Sequence, residues 1–300
     1  PDYDYSLKSD FEFVQTAINV LNKICKGGVH FGLCATHRNS TPFHKLKNVK
    51  FHTFDGKYPA SNVGVQIHHV APVNKGEVVW TVQLPLLAAI GKLFDKGIYD
   101  VKRTIAITGP RATFPCYVTA IAGMAIKDIV EFVSAEADAK QSYQKDCGVR
   151  YVSGNVLTGK NVGIDGFLGF YDHQVTLLTE GNYYEGLGWA KIFRQKKFSL
   201  SKTYFSWLTP KKQYAMDTNM NGGERAFVMG SYYEKVLPMD IYPVYLLKAI
   251  LAEDIDKMEQ LGIYEVLEED FALCEYICPS KIDIQSIITK GIDIMLKEMA

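Results

Sequence analysis

Two cysteines near the end of the chain have the spacing of ligands in an iron–sulfur site. Residues 274–281 read CEYICPSK, so that Cys274 and Cys278 lie one helical turn apart and Pro279 follows the second. A cysteine followed by proline, after closely spaced cysteines, is typical of the end of a ferredoxin-type motif. A [4Fe–4S] cluster needs four thiolates, and the nearest cysteine upstream is Cys147. The pair therefore indicates a cluster motif that has lost its other ligands.

The pair formed by Cys274 and Cys278 allows two interpretations. Residues i and i+4 of a helix share a face, so Cys274 and Cys278 could hold a metal together with ligands from a partner chain. Most cysteines are instead buried as small hydrophobic side chains. Because two thiolates cannot complete a cluster, we interpret the two as vestigial cluster positions with a structural role, and we predict no metal site.

Other polar groups are weaker candidates. His68 and His69 follow a segment that we expect to be a strand, where adjacent side chains point to opposite faces and cannot easily share one metal. One of them could donate a hydrogen bond to a small ligand, and a packing or surface role is the alternative. The acidic run 268–270 is interpreted as the solvated start of a helix. The sequence has no G-x-S-x-G or H-E-x-x-H motif, so we predict no catalytic residue.

Composition bounds the class of protein. The 300 residues are 47% hydrophobic and 22% charged, as in ordinary globular chains, and predict two or three domains. Lys plus Arg and Asp plus Glu both number 33, and this zero net charge argues against nucleic acid as a partner. The apolar stretch 78–90 is too short and interrupted to span a bilayer. The chain begins at Pro1 without an initiator Met, so we expect a fragment lacking an N-terminal portion.

The helices and strands that must position these groups are predicted from the spacing of apolar residues and from the positions of glycine and proline. Up to residue 101, helices at 9–25 and 84–94 alternate with strands at 29–33, 49–54 and 78–82, which predicts an α/β domain. From 102 to 185, strands at 103–108 and 114–120, a helix at 123–132, and strands at 149–153, 167–171 and 174–179 outline a β-grasp domain.

The last two segments differ in character. Residues 186–225 are interpreted as a connector rich in aromatic and basic side chains, including Trp189, Phe193 and Phe198. Such interleaving can bind single-stranded nucleic acid, but packing on neighbours or a partner fits the neutral chain better. Residues 226–300 predict four short helices, at 243–252, 254–261, 268–274 and 282–299, which must pack on one another to be stable.

Several segments resemble the A subunit of the bacterial sodium-translocating NADH:quinone oxidoreductase. They are 224–228 (ERAFV), 233–241 (YEKVLPMDI), 261–262 (LG), 268–274 (EEDFALC), 58–60 (YPA), 63–68 (VGVQIH) and 152–159 (VSGNVLTG). The matches run in order along essentially the whole chain. More distantly, the chain is similar to the C subunit of the Rnf complex and to the flavoprotein subunit of complex I.

The resemblance implies a fold for each segment. It implies a Rossmann-like α/β domain at 1–101, a β-grasp domain of the soluble-ligand-binding type at 102–185, the connector at 186–225, and a helical domain at 226–300 that is a cluster-less relic of an iron–sulfur domain. The relatives' cluster motifs would fall near 229–239, which has no cysteine, and 267–278, which keeps two.

The resemblance also implies a function. We expect a peripheral subunit on the cytoplasmic face of the bacterial inner membrane, held by membrane-embedded sister subunits and without a transmembrane segment. The whole translocase would use NADH, flavins, an iron–sulfur centre and quinone, whereas this chain would carry no redox cofactor and have a docking role. Tyr58, Pro59, His68 and His69 are the quinone candidates. The alternatives are an electron carrier with a flavin or a partner-shared cluster, and a stand-alone ligand-binding module.

Overall fold

The structure is a computed structural model that describes residues 1–36, 40–136, 148–183, 185–188, 197, 199, 202, 204–209, 211–227 and 231–299, with the backbone alone at 132–136. Cys147, Trp189, Phe193, Phe198 and Val228, which the sequence analysis singled out, lie outside these described residues.

Helices and strands are mixed along the chain, which confirms the predicted mixed α/β class. In chain order the elements are α1 (Tyr3–Ser6), α2 (Phe11–Ile24), β1 (His30–Cys34), β2 (Lys50–Phe54), α3 (Val63–Val70), α4 (Leu84–Lys96), β3 (Lys102–Thr108), β4 (Cys116–Ile121), α5 (Ile126–Glu136), β5 (Val149–Ser153), β6 (Lys160–Asn161), β7 (Gln174–Thr179), α6 (Pro243–Leu251), α7 (Ile255–Gln260), α8 (Ala272–Ile277) and α9 (Ile284–Met299).

The chain forms two compact units. The sheet unit comprises residues 101–223 together with Pro1, and the discontinuous unit comprises residues 2–100 and 224–300. The domain boundaries drawn from the sequence at 101, 185 and 225 stay predictions.

In the first half of the discontinuous unit, a small sheet lies beside a pair of helices. β1 and β2 pair in parallel, with His30 opposite Lys50 and Cys34 opposite Phe54. α2 and α4 approach so closely that a Cβ on Gly91 would lie 1.8 Å from the carbonyl oxygen of Phe13. A glycine in α4 therefore permits this helix crossing.

The helix predicted at 84–94 is confirmed as α4, which ends two residues later. Pro85 occupies the first turn, where its missing N–H costs nothing, and Gly97 ends the helix in the left-handed region at φ 69°. α2, predicted at 9–25, begins at Phe11, and its N-cap residue Asp10 makes no capping hydrogen bond through its side chain.

The second half of the discontinuous unit is a helical core. Leu246, Leu247 and Ile250 of α6 pack with Ile288 of α9, and all four are fully buried. Val65, from α3 in the first half, belongs to the same hydrophobic cluster. Two segments far apart in sequence therefore share one core.

The sheet unit is built on a mixed sheet with strand order β4-β3-β7-β5-β6. β3 pairs antiparallel with β4 and parallel with β7, and β7 pairs antiparallel with β5. The buried side chains Ile126, Ile129 and Val130 of α5 join Ile105 and Leu177 of the sheet in one core. The order strand, strand, helix, strand predicted for this region is thus confirmed in its main elements.

Two predicted strands are wrong. Residues 78–82 form neither strand nor helix, and Trp80 within them is 85% exposed. Their β-branched side chains favour strands in general, but β-propensity reflects packing against neighbouring strands more than the backbone itself. Residues 167–171 likewise make only an isolated bridge, between Phe167 and Ala125.

Among the described helices, none combines the length and the apolar character needed to cross a membrane.

Candidate functional site

His68 and His69 lie on a helix, so the predicted strand arrangement is wrong. They occupy the last turn of α3, and their rings meet edge to face with centroids 5.3 Å apart. Residues 63–67 are too few for their apolar pattern to separate a helix from a strand. The helix is stabilised here because Val65 packs among side chains of the C-terminal helices. Each ring is held by a different partner from the second half of the discontinuous unit.

Both nitrogens of the His68 ring make hydrogen bonds. Nε2 accepts from the backbone amide of Asp240 at 3.1 Å, which leaves the ring proton on Nδ1. Nδ1 then donates to the carboxylate of Glu265 at 2.7 Å. A carbonyl of a bound ligand would reach this N–H only by displacing Glu265, so His68 is built to hold α3 in place.

His69 is more accessible. Its Nε2 lies 2.8 Å from the carbonyl oxygen of Pro238, which can only accept, so that Nε2 carries the proton. The side chain is exposed. The two histidines together tie the end of α3 to residues 238–240 and to Glu265.

Tyr58 and Pro59 begin the turn that leads into α3, and the bond between them is cis. Tyr58 Oη is 3.5 Å from the carbonyl oxygen of Glu269, at the outer limit of a hydrogen bond. The stronger contact here comes from Asn62, whose Nδ2 donates to the same carbonyl at 3.0 Å. Burial raises the pKa of the Tyr58 hydroxyl, which therefore remains a neutral donor.

Asp270 acts as a cap for α3 that comes from elsewhere in the chain. Asn62, the N-cap residue of α3, makes no capping hydrogen bond of its own. Instead the fully buried carboxylate of Asp270 accepts from Asn62 Nδ2 at 3.3 Å and lies against the first turn of α3 at Gly64. A negative charge is stabilised at this end of a helix. A Cβ on Gly64 would lie 2.2 Å from Asp270 Oδ2, so the glycine makes room for the carboxylate.

The predicted solvated helix start at 268–270 is therefore wrong for Asp270. Its Oδ2 also accepts from the backbone amide of Leu267 at 3.2 Å, which starts a 3₁₀ helix at Glu268–Phe271. Burial raises the pKa of Asp270, because the cost of burying its charge outweighs the hydrogen bonds that lower this pKa. Burial also raises the pKa of the neighbouring Glu269, with a further contribution from the charge of Asp270.

Cys274 and Cys278 are both fully buried beside Tyr233. Tyr233 Oη lies 2.9 Å from Cys278 Sγ, and Cys274 Sγ lies 3.9 Å from the Tyr233 carbonyl oxygen. Burial raises the pKa of Cys274 to about 12, so its side chain is a thiol at neutral pH. The predicted helix at 268–274 is replaced by the 3₁₀ turn and α8, and Cys278 is the residue after α8.

Three groups organise this region: Asn62 and Glu265, which no sequence pattern indicates, and Asp270, which was predicted to be solvated. Asn62 contacts Asp270 across 208 residues, and His68 contacts Glu265 across 197. Only their place near the segments 58–68 and 268–274 could have drawn attention to them. Within the part of the chain that is described, no group of three or more His, Cys, Asp and Glu side chains is arranged to hold a metal.

The chain is similar to known proteins along nearly its whole length. Residues 1–99 match the family model described as the NqrA second alpha/beta domain. A protein of Rhodopirellula baltica, named as the A subunit of a Na(+)-translocating NADH-quinone reductase, is 34% identical over 282 residues, covering 94% of this chain and 59% of the relative. Proteins of the same name from Shewanella frigidimarina and Pasteurella multocida are 35% and 34% identical over 97% and 95% of the chain, and 62% and 61% of their own lengths.

The chain is a relative of these A subunits. The resemblance predicted from the segments 58–68, 152–159 and 224–274 is thereby confirmed, and the relatives are named as parts of a sodium-translocating NADH-quinone reductase. The chain spans about three fifths of the length of these relatives. The family model covers the first half of the discontinuous unit, from α1 to α4.

Proposed function

We propose that the chain serves in a peripheral subunit of a sodium-translocating NADH:quinone oxidoreductase. The similarity to the A subunits of such reductases along nearly the whole chain supports this. In this proposal the subunit lies on the cytoplasmic face of the bacterial inner membrane and is held by membrane-embedded subunits. NADH oxidation, sodium transport and quinone reduction belong to the assembled complex.

The fold assignments are part of the proposal. A β-grasp assignment for the sheet unit is supported by the antiparallel β3–β4 pair, the following α5, and the parallel pairing of β3 with the last strand β7. A Rossmann-like assignment for residues 1–101 is supported by the parallel β1–β2 pair flanked by helices. Cys274, Cys278 and Pro279 support the relation of the helical region to an iron–sulfur domain.

A docking and stabilising role, without a redox cofactor in this chain, is the part that the geometry supports best. The single observation that carries it is the joining of the helical region to α3 through Asp270, Glu265 and the shared Val65 core. A cluster ligand must be a thiolate, whereas Cys274 is buried with a strongly raised pKa and Cys278 contacts Tyr233. The region therefore has the packing of a structural support.

Quinone binding is proposed at the turn 58–59. A quinone head needs one or two hydrogen-bond donors in a mainly apolar cleft. The hydroxyl of Tyr58 fits as a donor, because its present contacts, 3.5 Å to the Glu269 carbonyl and 3.4 Å to Asn62 Nδ2, are long. His69 is an accessible second group, whereas the N–H of His68 is already bonded to Glu265. The fit is therefore best at Tyr58 and poorest at His68.

The complex is tested by purifying the tagged, full-length natural protein from its native membranes. We expect other subunits of the reductase to co-purify, and an anaerobic visible spectrum of the separated protein to lack iron and flavin absorbance. Bound iron or flavin would favour the electron-carrier alternative. A protein that purifies alone from these membranes would favour a stand-alone ligand-binding module.

The quinone site is tested with Tyr58→Phe in the same complex. We expect quinone to protect the variant less well from a quinone-analogue photolabel, because the phenol donor is lost while the ring remains. His68→Ala is the matched variant: it should lower thermal stability and leave labelling at the turn 58–59 close to that of the wild type. Equal protection of Tyr58→Phe and the wild type would contradict the site.

A further inference from the structure

Two histidines meet on the small parallel sheet of the discontinuous unit. His30 opens β1 and His52 lies in the middle of β2. His30 Nδ1 and His52 Nε2 are 3.0 Å apart, and the two rings are inclined by 20° with centroids separated by 5.0 Å. The His30 side chain is exposed and the His52 side chain is half-buried, so a solute can reach the pair.

The strand register explains why these two rings meet. His30 lies opposite Lys50 and Gly32 lies opposite His52, so the histidines are diagonal neighbours on one face. Phe31 and Phe51 point to the other face, where they pack against the core formed with α2 and α4. The hydrophobic pattern of both strands therefore fixes which face presents the histidines.

The contact between the rings requires one proton between them. One of the two facing nitrogens carries that proton and the other accepts it, because two lone pairs would otherwise face each other at 3.0 Å.

We propose that His30 Nδ1 and His52 Nε2 form a two-histidine site for a divalent late transition metal ion of the Zn²⁺ class. The two nitrogens are close to the separation that such an ion requires, and a tetrahedral site needs them to move about 0.3–0.4 Å apart. With metal–nitrogen bonds of about 2.0–2.1 Å, two ligands are about 2.8–3.0 Å apart at a right angle and about 3.3–3.4 Å apart in a tetrahedron. The observed 3.0 Å lies at the lower end of this span.

The ion takes the place of a proton. In the free chain one of the two facing nitrogens donates its proton to the other. On binding, that proton moves to the far nitrogen of the same ring by exchange with water, and both facing nitrogens become ligands. No net charge is lost from the rings. Because two imidazoles leave coordination positions open, water or a ligand from another chain completes the shell.

Lys50 opposes cation binding and so gives the proposal a distinctive test. Its Nζ donates to the carbonyl of Gly27 at 3.1 Å, and Lys50 lies directly opposite His30 in the strand register, so its positive charge is close to the site. Replacing it with an uncharged side chain of similar length should tighten metal binding without touching either ligand. A pair of histidines that merely hydrogen-bond each other would show no such response.

The experiment is a titration of the EDTA-treated full chain with Zn²⁺ alone, followed by calorimetry and by imidazole ¹⁵N NMR. We expect one Zn²⁺ per chain at the strongest site, with shifts at His30 Nδ1 and His52 Nε2. His30→Ala and His52→Ala should each lose this site, Lys50→Met should bind severalfold more tightly, and the exposed His44→Ala should bind like the wild type.

Two results would overturn the site. One is Zn²⁺ binding of unchanged strength in His30→Ala and His52→Ala. The other is a wild-type spectrum in which neither named nitrogen shifts while Zn²⁺ is bound or in excess. Because the NMR shifts are read on the wild-type chain, the outcome does not depend on whether a variant folds.

Discussion

Asp270 is the residue on which the joint between the two halves of the discontinuous unit depends most. It is fully buried, and its carboxylate accepts from the Leu267 amide and the Asn62 side chain and lies against the first turn of α3 at Gly64. A buried carboxylate is costly unless its oxygens are hydrogen-bonded, and here these donors converge on it. The donors would be left without an acceptor if the carboxylate were removed.

The test at this residue is Asp270→Ala. We expect the free energy of unfolding to fall by about 1.5–3 kcal/mol, because buried donors to a charged group lose their acceptor. Urea unfolding followed by circular dichroism measures the change. Glu268→Ala removes an exposed carboxylate from the same 3₁₀ helix and should change stability by less than about 0.5 kcal/mol. Equal effects of the two substitutions would show that Asp270 does not cap α3.

His173 of the sheet unit supplies a pH dependence. It is buried, and no hydrogen-bond partner of its Nδ1 is found among the described residues. Burial, assisted by the charge of Arg103, lowers its pKa to about 4 from the usual 6.5. The unfolded chain therefore binds a proton in a pH range where the native ring stays neutral. The contribution of the neutral His173 ring to the stability of the folded chain is fully present above pH 6.5. It is lost as the pH falls from 6.5 towards 4.

We expect His173→Gln to remove this dependence. Between pH 6.5 and pH 4 the wild type should lose up to about 3 kcal/mol more stability than the variant, since one pKa unit corresponds to about 1.4 kcal/mol. Urea unfolding at several pH values measures the difference in slope, which is separate from any uniform loss caused by the substitution. His44→Gln, at an exposed histidine, should keep the wild-type slope. Parallel curves for the wild type and His173→Gln would contradict the assignment.

At the scale of elements, Gly91 sets how closely α2 and α4 can pack. Gly91→Ala would place a Cβ 1.8 Å from the Phe13 carbonyl oxygen, so the helices must move apart. We expect a loss of about 2–3 kcal/mol in the free energy of unfolding, as for other overpacked contacts. Gly27→Ala is the control, because a Cβ there meets nothing within 4 Å. A wild-type stability of Gly91→Ala would mean that this crossing is not tight.

Elements with local signals could be predicted from the sequence, and elements that depend on distant partners could not. Pro85 and Gly97 mark α4, and its bounds are close to the prediction. α3 has no such marks, because its cap is Asp270 and its packing partners are in the C-terminal helices. For the same reason the site predicted from the sequence did not include Asn62 and Glu265. Their roles depend on contacts between residues about 200 positions apart in the chain.

At the scale of the whole molecule, the two units differ in how they are encoded. The sheet unit is essentially one continuous segment, 101–223, with its own core around Ile105, Ile126 and Leu177. The discontinuous unit needs both 2–100 and 224–300, because Val65 packs among the C-terminal side chains and Asp270 caps α3. The two segments must therefore find each other across the inserted sheet unit during folding.

This difference predicts how fragments behave. We expect the fragment 101–223 to unfold cooperatively by itself, whereas the fragment 2–100 should lack a cooperative transition, because α3 has lost its cap and its apolar partners. Mixing 2–100 with a separate 224–300 fragment should restore a transition, and Asp270→Ala in the second fragment should weaken that recovery, while Glu268→Ala should not. Thermal melts followed by near-ultraviolet circular dichroism measure each case. A fragment 2–100 that melts cooperatively alone would show that α3 does not depend on the C-terminal helices.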